Sequence, residues 1–274
     1  MPTSPPAPLL ADSVTRLSEA AGAVLVTGSH GGIYAAYLAA RAGVRAVIFN
    51  DAGIGLEEAG VAGLNWLEKL GIAAAAVDHA SASIGNAAEM LQQGRISRAN
   101  RKAEACGVKM GQTCAEAARL LEKAEAVVGK VAPMSEARRV LEGPRCRLVL
   151  IDSAALVKPA DAGHFVITGS HGALFGADPM NALKVDALFA VFNDAGLGPG
   201  EVGASRLPAL DARGIAAATV AASSARIGDA LSTWKSGRIS RINQKARDLG
   251  AREGMPLEEL VTKVTGITPE SGDE

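Results

Sequence analysis

The feature that most constrains the fold of this chain is that its sequence repeats itself. Residues 50–113 align without a gap to residues 193–256, and 30 of these 64 positions are identical. Upstream, the string Val-Thr-Gly-Ser-His-Gly at residues 26–31 returns as Ile-Thr-Gly-Ser-His-Gly at residues 167–172. The repeating unit is about half the chain, and we interpret the sequence as an internal duplication.

In each half, apolar runs of strand length end in polar or glycine-rich turns and are followed by stretches of helix length. This alternation is typical of βα repeats with a parallel sheet. The predicted fold class is α/β, with tandem duplicated βα units, a largely parallel sheet and pseudo-twofold related halves that form two lobes or one continuous sheet. The predicted strands are 23–26, 46–49, 73–77, 147–151, 165–167, 188–192 and 216–220. The predicted helices are 33–42, 57–70, 86–93, 99–106, 116–128, 179–184, 201–213, 229–235, 242–249 and 257–264.

The ends of the chain and its middle lack this alternation. Four prolines within the first eight residues, with no early positive charge, indicate a flexible arm rather than a secretory signal. The predicted organisation is an arm at residues 1–10, a first α/β repeat at 11–129, a connector at 130–146, a second α/β repeat at 147–266 and an acidic tail at 267–274.

Composition narrows the function classes. Aromatic residues make up only 3% of the chain, which disfavours stacking on single-stranded nucleic acid, and 28 basic against 29 acidic residues give no general attraction to polyanions or membrane surfaces. No apolar run approaches the ~18 residues of a membrane span. The three cysteines form no CxxC pair, so neither a disulfide framework nor a thiolate zinc site is indicated. We expect a cytoplasmic protein without nucleic-acid or membrane partners, whose alanine-rich helices are compatible with a homo-oligomer.

The first repeated motif is rich in glycine and lies where a predicted strand gives way to a helix. Glycines let the backbone approach a ligand, and free amides at a helix N-terminus favour a carboxylate or phosphate. The motif lacks the spacing of a phosphate-binding loop or a dinucleotide fingerprint, so no nucleotide cofactor is predicted. Alternatively, Ser29 caps the helix in a tight turn, or Ser29 is a nucleophile with His30 as its base. The candidate substrate-binding residues are Gly28, Ser29, Gly31 and Gly32, with Ser170 and His171 in the second half.

The second motif, Asn-Asp-Ala-Gly-x-Gly, follows a predicted buried strand in each half. An aspartate at that place can act as a general base, bind a metal or accept hydrogen bonds from ligand hydroxyls. In the alternative interpretation, the Asn-Asp pair forms an Asx turn that caps neighbouring amides. Glu58 and Glu201 are predicted to be first-turn helix carboxylates. The candidate ligand-facing residues are Asn50 and Asp51, with Asn193 and Asp194 in the second half.

The halves diverge at the third motif. Asp78 and His79 stand opposite Ala221 and Ala222. This is the pattern expected if one copy kept an acid/base function and the other became a support, although drift at a surface turn would look the same. The further candidates for substrate contact here are Ser81, which is matched by Ser224, and Arg226, which stands opposite Ser83.

The fourth motif, Gly-Arg-Ile-Ser-Arg, begins at Gly94 and again at Gly237. We predict that the glycine ends one helix and that the serine caps the next. The arginines can clamp a carboxylate or phosphate, or form structural salt bridges. Substrate contact is predicted for Arg95 and Arg238, and salt bridging for Arg98 and Arg241.

Together these motifs favour an enzyme that acts on a small polar, anionic metabolite, with hydrolysis of a C–N or ester-like bond as the leading hypothesis. The candidate catalytic residues are Asp51, Asp78, His79 and His30. The first three either provide acid/base chemistry or hold a divalent metal, although the sequence has no recognised metal motif. An isomerase or lyase acting on a small carboxylate, and a non-catalytic binding or regulatory subunit, are the alternatives.

Overall fold

A computed structural model describes residues 7–17, 19–127, 129, 131–176 and 178–268. The chain divides into two compact units, each with its own mostly parallel sheet. The first unit contains the described residues up to Ile54 together with Glu58–Ser135, and the second contains Gly55–Glu57 and the described residues from Glu136 onward. The prediction of an α/β fold with largely parallel sheets is confirmed, and the strands form two separate sheets rather than one.

The first unit has a five-stranded sheet in the order β1-β2-β3-β4-β5, with only β5 antiparallel to its neighbour. Its strands are β1 (Leu9–Ala11), β2 (Val24–His30), β3 (Ala46–Asn50), β4 (Ala73–Val77) and β5 (Ile96–Ala99). Its helices are α1 (Ile33–Arg41), α2 (Ala62–Lys69), α3 (Ala87–Gln93), α4 (Arg101–Ala105) and α5 (Cys114–Leu121).

The second unit has a six-stranded sheet in the order β11-β10-β9-β8-β7-β6, parallel in its centre and antiparallel at both edges. Its strands are β6 (Arg138–Leu141), β7 (Leu148–Ile151), β8 (Phe165–His171), β9 (Phe189–Asn193), β10 (Ala216–Val220) and β11 (Ile239–Ile242). Its helices are α6 (Arg206–Ala212), α7 (Ala230–Ser236), α8 (Gln244–Asp248) and α9 (Leu257–Thr265). None of the described helices has the length and apolarity needed to cross a bilayer.

Successive side chains of a strand point to opposite sides of the sheet. Because the central strands are largely apolar, each sheet buries both of its faces against helices or loops. In the first unit, Val26 and Ile48 face a core cluster that includes residues of α3, α4 and α5. Leu25 and Phe49 face the other cluster, which includes α1 and α2. Small alanines on β4 fill both clusters and let the helices pack closely on the sheet.

The fourth motif was wrongly predicted as a turn between helices. Residues 96–99 and 239–242 are instead edge strands, and the serine of the motif caps no helix. The cap of α4 is Asn100, whose side chain accepts the backbone N–H of Ala103 at 3.0 Å. Gly94 does end α3, as predicted. The strand forms because Ile96 can be buried, at 2% exposure, beside β4.

Three predicted helices begin late or are absent. The helices predicted from residues 57 and 201 start only at Ala62 and Arg206. The reason is a left-handed backbone at Glu58 (φ 56°) and Glu201 (φ 57°), which the α-helix cannot include. Neither glutamate is therefore a first-turn carboxylate of these helices. The helix predicted at residues 179–184 is only a short 3₁₀ turn at Pro179–Asn181.

Arg206 fills space in the second unit where the first unit has α1. Its position corresponds to Gly63, whose missing side chain lets the backbone lie against Ala36 of α1. Arg206 is only 4% exposed, donates from Nε to the carbonyl of Ala173 at 3.1 Å and stacks over the ring of Phe192. Burial lowers the pKa of Arg206 to about 10. The guanidinium thus holds the loop that replaces the helix.

Parts of the predicted arm, connector and tail belong to the folded units. Leu9–Ala11 form β1, Arg138–Leu141 form β6, and Ile267 is buried at 4% exposure. These short segments pair with or pack on the units, although their sequences lack a strong period. The remainder of the predicted arm and tail, residues 1–6 and 269–274, and the last residue of the predicted helix 116–128, lie outside the described residues.

A buried ion pair attaches the edge strand β6 to the second unit. The Arg138 guanidinium donates to both oxygens of Asp161, at 2.7 and 3.1 Å, and Asp161 is 1% exposed. Burial by itself raises the pKa of Asp161. Hydrogen bonds from Arg138 and the Lys158 amide outweigh that effect and hold the pKa below its usual range.

We expect Asp161→Ala to lower the free energy of unfolding by about 3 kcal/mol, because it leaves a mostly buried guanidinium without its counter-charge. Because the folded-state pKa is depressed, the contribution of Asp161 is present above the unfolded pKa of about 3.9 and is lost as pH falls through the folded value. Urea unfolding from pH 7 downward measures both effects. The matched control is Asp186→Ala, which removes an exposed partner of Arg213; an equal loss in both variants would contradict the assignment.

Candidate functional site

The candidate site forms where the carboxyl ends of β3 and β4 meet. These strands are neighbours and parallel, so the residues that follow them lie at the same edge of the sheet. Asp51 directly follows β3, while Asp78 and His79 directly follow β4. The Asp51 N–H donates to the carbonyl of Val77 at 2.8 Å, which fixes the two loops side by side.

The Asp51 carboxylate is buried, at 2% exposure, and ties the two loops together. Its Oδ1 accepts the N–H of Gly53 in its own loop at 3.0 Å and the N–H of His79 in the next loop at 3.0 Å. The same oxygen lies 3.0 Å from Nδ1 of the His79 ring. One buried carboxylate therefore orients both the backbone and the imidazole of His79.

The contact with Asp51 selects the tautomer of His79. In the neutral ring, a hydrogen bond from Nδ1–H to a carboxylate leaves Nε2 as the nitrogen that can accept a proton. The side chain of His79 is 28% exposed, so the ring lies at the protein surface rather than in the core. Asp78, which is 44% exposed, places Oδ1 3.3 Å from the same Nδ1. The geometry is that of a histidine base held by carboxylates.

The electrostatics favour an ionised Asp51. Burial alone raises the pKa of Asp51, but hydrogen bonds from the His79 ring, the Ser97 hydroxyl and the His79 backbone outweigh burial. The net pKa is below the usual range, and Asp51 is negatively charged at neutral pH. A charged partner on Nδ1 stabilises an imidazolium if the ring gains a proton.

The same side chains also form a plausible donor set for a divalent cation. One ligand atom each from Asp51, Asp78 and His79 lies within 4.8 Å of the others. Two carboxylates and one imidazole are ligands that zinc and other divalent transition metals accept. The cluster can therefore serve either as an acid/base group or as a metal site.

The second unit has the same loop-joining carboxylate but no titratable side chains at the positions of Asp78 and His79. Asp194 Oδ1 accepts the N–H of Gly196 at 2.9 Å and the N–H of Ala222 at 2.8 Å. These two bonds match those that Asp51 accepts from Gly53 and His79. Because Ala221 and Ala222 carry no titratable group, the carboxylate in this unit only joins two loops.

The loop after β3 is conformationally strained, as is the loop after β9. Ala52 and Ile54 have φ values of 51° and 62°, and Ala195 and Leu197 have values of 51° and 66°. Such angles disfavour residues with a Cβ atom, most of all a β-branched one. The strain is held by tight packing, since a Cβ on Gly60 would lie 2.3 Å from the Asp51 carbonyl oxygen. The loop presents its carboxylate from a closely packed turn.

Asn50 and Asn193, predicted as ligand contacts, are fully buried and occupied within the fold. The amide nitrogen of Asn50 donates to the Ala82 carbonyl at 3.1 Å, and its oxygen accepts the Ala52 N–H at 2.9 Å. Asn193 makes the same two contacts, with Ala225 and Ala195. These contacts match the alternative interpretation, in which the motif caps neighbouring amides.

The glycine-rich motif is largely part of a strand. Gly28, Ser29 and His30 belong to β2, and α1 begins after Gly32. The expectation of free amides in this turn is wrong for Gly31 and Gly32. The Gly31 N–H donates to the Asn50 carbonyl at 3.1 Å, and the Gly32 N–H donates to His30 Nδ1 at 3.1 Å. These two amides serve the turn itself.

Each glycine of the first motif also has a packing reason. A Cβ on Gly28 would lie 2.7 Å from backbone atoms of Asp12, Gly85 and Asn86. Ser29 does not cap α1, because its Oγ accepts the N–H of Val14 at 3.1 Å. The motif therefore brings several backbones close together.

His30 pairs with Asn50 across the sheet but takes no part in the hydrogen bonds of the described cluster. Burial lowers the pKa of His30 to about 4, so its ring is neutral at physiological pH. Among the described residues, no hydrogen bond joins it to Asp51 or His79. In the second unit, His171 Nδ1 accepts the Ala173 N–H at 3.2 Å and Ser170 Oγ accepts the Ala154 N–H at 2.9 Å.

The remaining predicted contacts also have partners within the protein. Ser81 Oγ donates to the Asp78 carbonyl at 2.8 Å and accepts the Arg95 N–H at 2.9 Å. Arg226 pairs with Asp229 at 2.9 Å, and this hydrogen bond raises the pKa of the guanidinium. The two side chains predicted to clamp an anion, those of Arg95 and Arg238, each donate to a carbonyl of a neighbouring turn.

Sequence reasoning did not propose Ser97 as part of the site. Its hydroxyl donates to the Ala76 carbonyl at 3.3 Å, and its nearness to Asp51 helps to lower the pKa of that carboxyl. Its identity with Ser240 in the second half was a usable signal. The segment was, however, predicted to contain a helix cap and not a strand beside β4.

Comparison with protein-family models, with curated proteins and with solved structures gave no match.

We expect Asp51→Ala and Asp194→Ala each to lower the free energy of unfolding by about 2 kcal/mol, because each leaves two wholly or partly buried backbone N–H groups without an acceptor. His79→Ala is the comparison variant, and it should cost clearly less because the ring is partly exposed and its backbone bond to Asp51 remains. Urea unfolding of the three proteins measures this. A neutral Asp194→Ala would contradict the view that the carboxylate joins the loops.

Proposed function

We propose that the first unit carries the active site of an enzyme that uses His79 as a general acid and base. The observation that supports this most directly is the 3.0 Å contact between His79 Nδ1 and the buried carboxylate of Asp51. A histidine oriented by a carboxylate is a recurring device for proton transfer. Hydrolysis of a C–N or ester-like bond in a small polar, anionic metabolite is the reaction that we favour.

The proposed reaction begins with a water molecule that loses a proton to Nε2 of His79 while its oxygen adds to the carbonyl carbon of the substrate. Asp51 stabilises the resulting imidazolium through Nδ1–H, and Asp78 adds a second negative charge nearby. The bond from carbon to nitrogen or oxygen then breaks, and the imidazolium returns its proton to the leaving group. The products are a carboxylic acid and an amine or alcohol.

We infer that the two units arose by duplication. What supports this is the sequence identity between the halves and the matching bonds of Asp51 and Asp194. In this view one copy kept the acid/base pair, while the copy with Ala221 and Ala222 kept only the loop-joining carboxylate. The enzyme then has one working site per chain, with the second unit as a support.

A metal-dependent hydrolase is a second candidate, which the spacing of the donor atoms of Asp51, Asp78 and His79 supports. A divalent ion held there would lower the pKa of a bound water. In that case His79 would be a ligand and not the base.

An isomerase or lyase needs the same proton-transfer groups without a hydrolytic water. Incorporation of ¹⁸O from labelled water into the product separates a hydrolase from these two classes.

To test the proposal, a panel of short amides and esters that carry a carboxylate or phosphate is assayed with the wild-type protein. We expect His79→Ala to lower kcat/KM by about 10²–10⁴-fold, the usual contribution of a general base. Asp51→Asn should lower it as well, because the ring loses its charged partner. Asp194→Asn is the matched control in the second unit and should leave kcat/KM unchanged. Equal activity of wild type and His79→Ala on every substrate that is turned over would refute the proposal.

The two chemical routes predict opposite effects of a chelator. If His79 is the base, dialysis against EDTA should leave kcat/KM unchanged. Loss of activity that zinc or manganese restores would transfer the function to the metal-dependent candidate. Metal content after dialysis is measured by mass spectrometry, and Asp78→Asn serves as a variant that weakens the donor set while keeping its shape.

A further inference from the structure

The edge strand β5 places an arginine beside the candidate site. Arg98 pairs with Ala76 of β4 across the antiparallel ladder, close to the end of the strand that Asp78 and His79 follow. Sequence analysis predicted a structural salt bridge for this arginine. The two units can be compared at this position, because Arg241 pairs with Thr219 in the same register of β10 and β11.

In the second unit, the predicted salt bridge is present. Arg241 donates to both oxygens of Glu201, at 2.6 and 3.0 Å, and also to the Ser240 carbonyl at 2.7 Å. The hydrogen bonds that Arg241 donates to Glu201 raise the pKa of the guanidinium, and the negative charges of Glu201, Glu253 and Asp194 add to this effect. The charge of Arg241 is therefore neutralised by Glu201, and Glu253 lies 3.9 Å away as a second carboxylate.

In the first unit, the corresponding ion pair is missing. Arg98 donates to the Ser97 carbonyl at 2.9 Å, which repeats the contact of Arg241 with Ser240. Within the described ranges, no carboxylate oxygen lies within 4.0 Å of the Arg98 guanidinium, and Glu58, the counterpart of Glu201, is exposed. The unit that has the acid/base pair thus also has an arginine whose charge is not neutralised by an ion pair.

We propose that Arg98 binds an anionic group, a carboxylate or a phosphate, of the substrate that is processed at Asp51 and His79. This inference rests on the proposed function and adds a positioning residue to it. A guanidinium offers paired N–H donors that match the two oxygens of such an anion. In the second unit, the carboxylate of Glu201 occupies the place that the substrate anion takes in the first.

The binding test uses sodium phosphate and sodium acetate as separate probes, titrated at constant ionic strength into ¹⁵N-labelled protein. Arginine Nε–H signals report on binding. We expect saturable shifts in the wild type and in His79→Ala, and at least about a tenfold weaker Kd in Arg98→Met, since a charge-assisted bidentate contact is lost. Arg241→Met is the matched control and should bind as the wild type does. The probe with the lower Kd identifies the preferred anion.

Kinetics provide the second readout. On an anionic substrate of the panel, Arg98→Met should raise KM with little change in kcat, as expected when binding common to ground and transition states is removed. Wild-type affinity of Arg98→Met for both probes, or no saturable binding by the wild type, would overturn the inference. If the probes bind through Arg98 but no substrate is turned over, the anion-binding role of Arg98 stands and the proposed function fails. If turnover depends on His79 but is unaffected in Arg98→Met, the proposed function stands and the role of Arg98 fails.

Discussion

The site depends on a buried carboxylate that accepts backbone N–H groups from two loops at once. Asp51 and Asp194 each make such a pair of bonds, and each follows the central strand of a parallel sheet. Two neighbouring strands end at the same edge, so their loops must be joined there or leave polar groups unsatisfied. A charged oxygen meets this need better than a neutral one, because hydrogen bonds to an ion are stronger. The need exists in both units, whatever the units do chemically.

This structural role explains how the two units can share the carboxylate and differ in the side chains beside it. The N–H that binds the carboxylate belongs to the backbone, so it is supplied equally by His79 and by Ala222. The side chain at that position is therefore not required for folding. When it is an imidazole, its Nδ1 lies against a carboxylate that the fold already holds in a strained and tightly packed loop. The imidazole of His79 is thus oriented by a carboxylate that the second unit holds in the same way without a histidine.

The sequence was a good guide where a pattern extends over many residues and a poor one where a single packing contact decides. Buried runs such as 73–77 and 216–220 predicted inner strands, and the contrast of Asp78 and His79 with two alanines pointed to the candidate site. The edge strand at Ile96 was missed because four residues carry too little periodicity to outweigh the glycine before them and the serine within them. The glycines of the first motif were assigned to a ligand, but atoms distant in sequence require them. Such contacts cannot be inferred from local composition.

Gly63 and Arg206 stand at equivalent positions of the two units, and each fits the layer that covers its own sheet. A Cβ atom on Gly63 would lie 2.6 Å from Cβ of Ala36, so α1 permits only glycine there. The Arg206 side chain, in contrast, occupies volume that is available because no helix lies above it. Exchange of either residue for the other therefore conflicts with the layer that covers its own sheet. This is strong epistasis: each unit's sequence is compatible with its own covering layer, and single substitutions cannot convert one into the other.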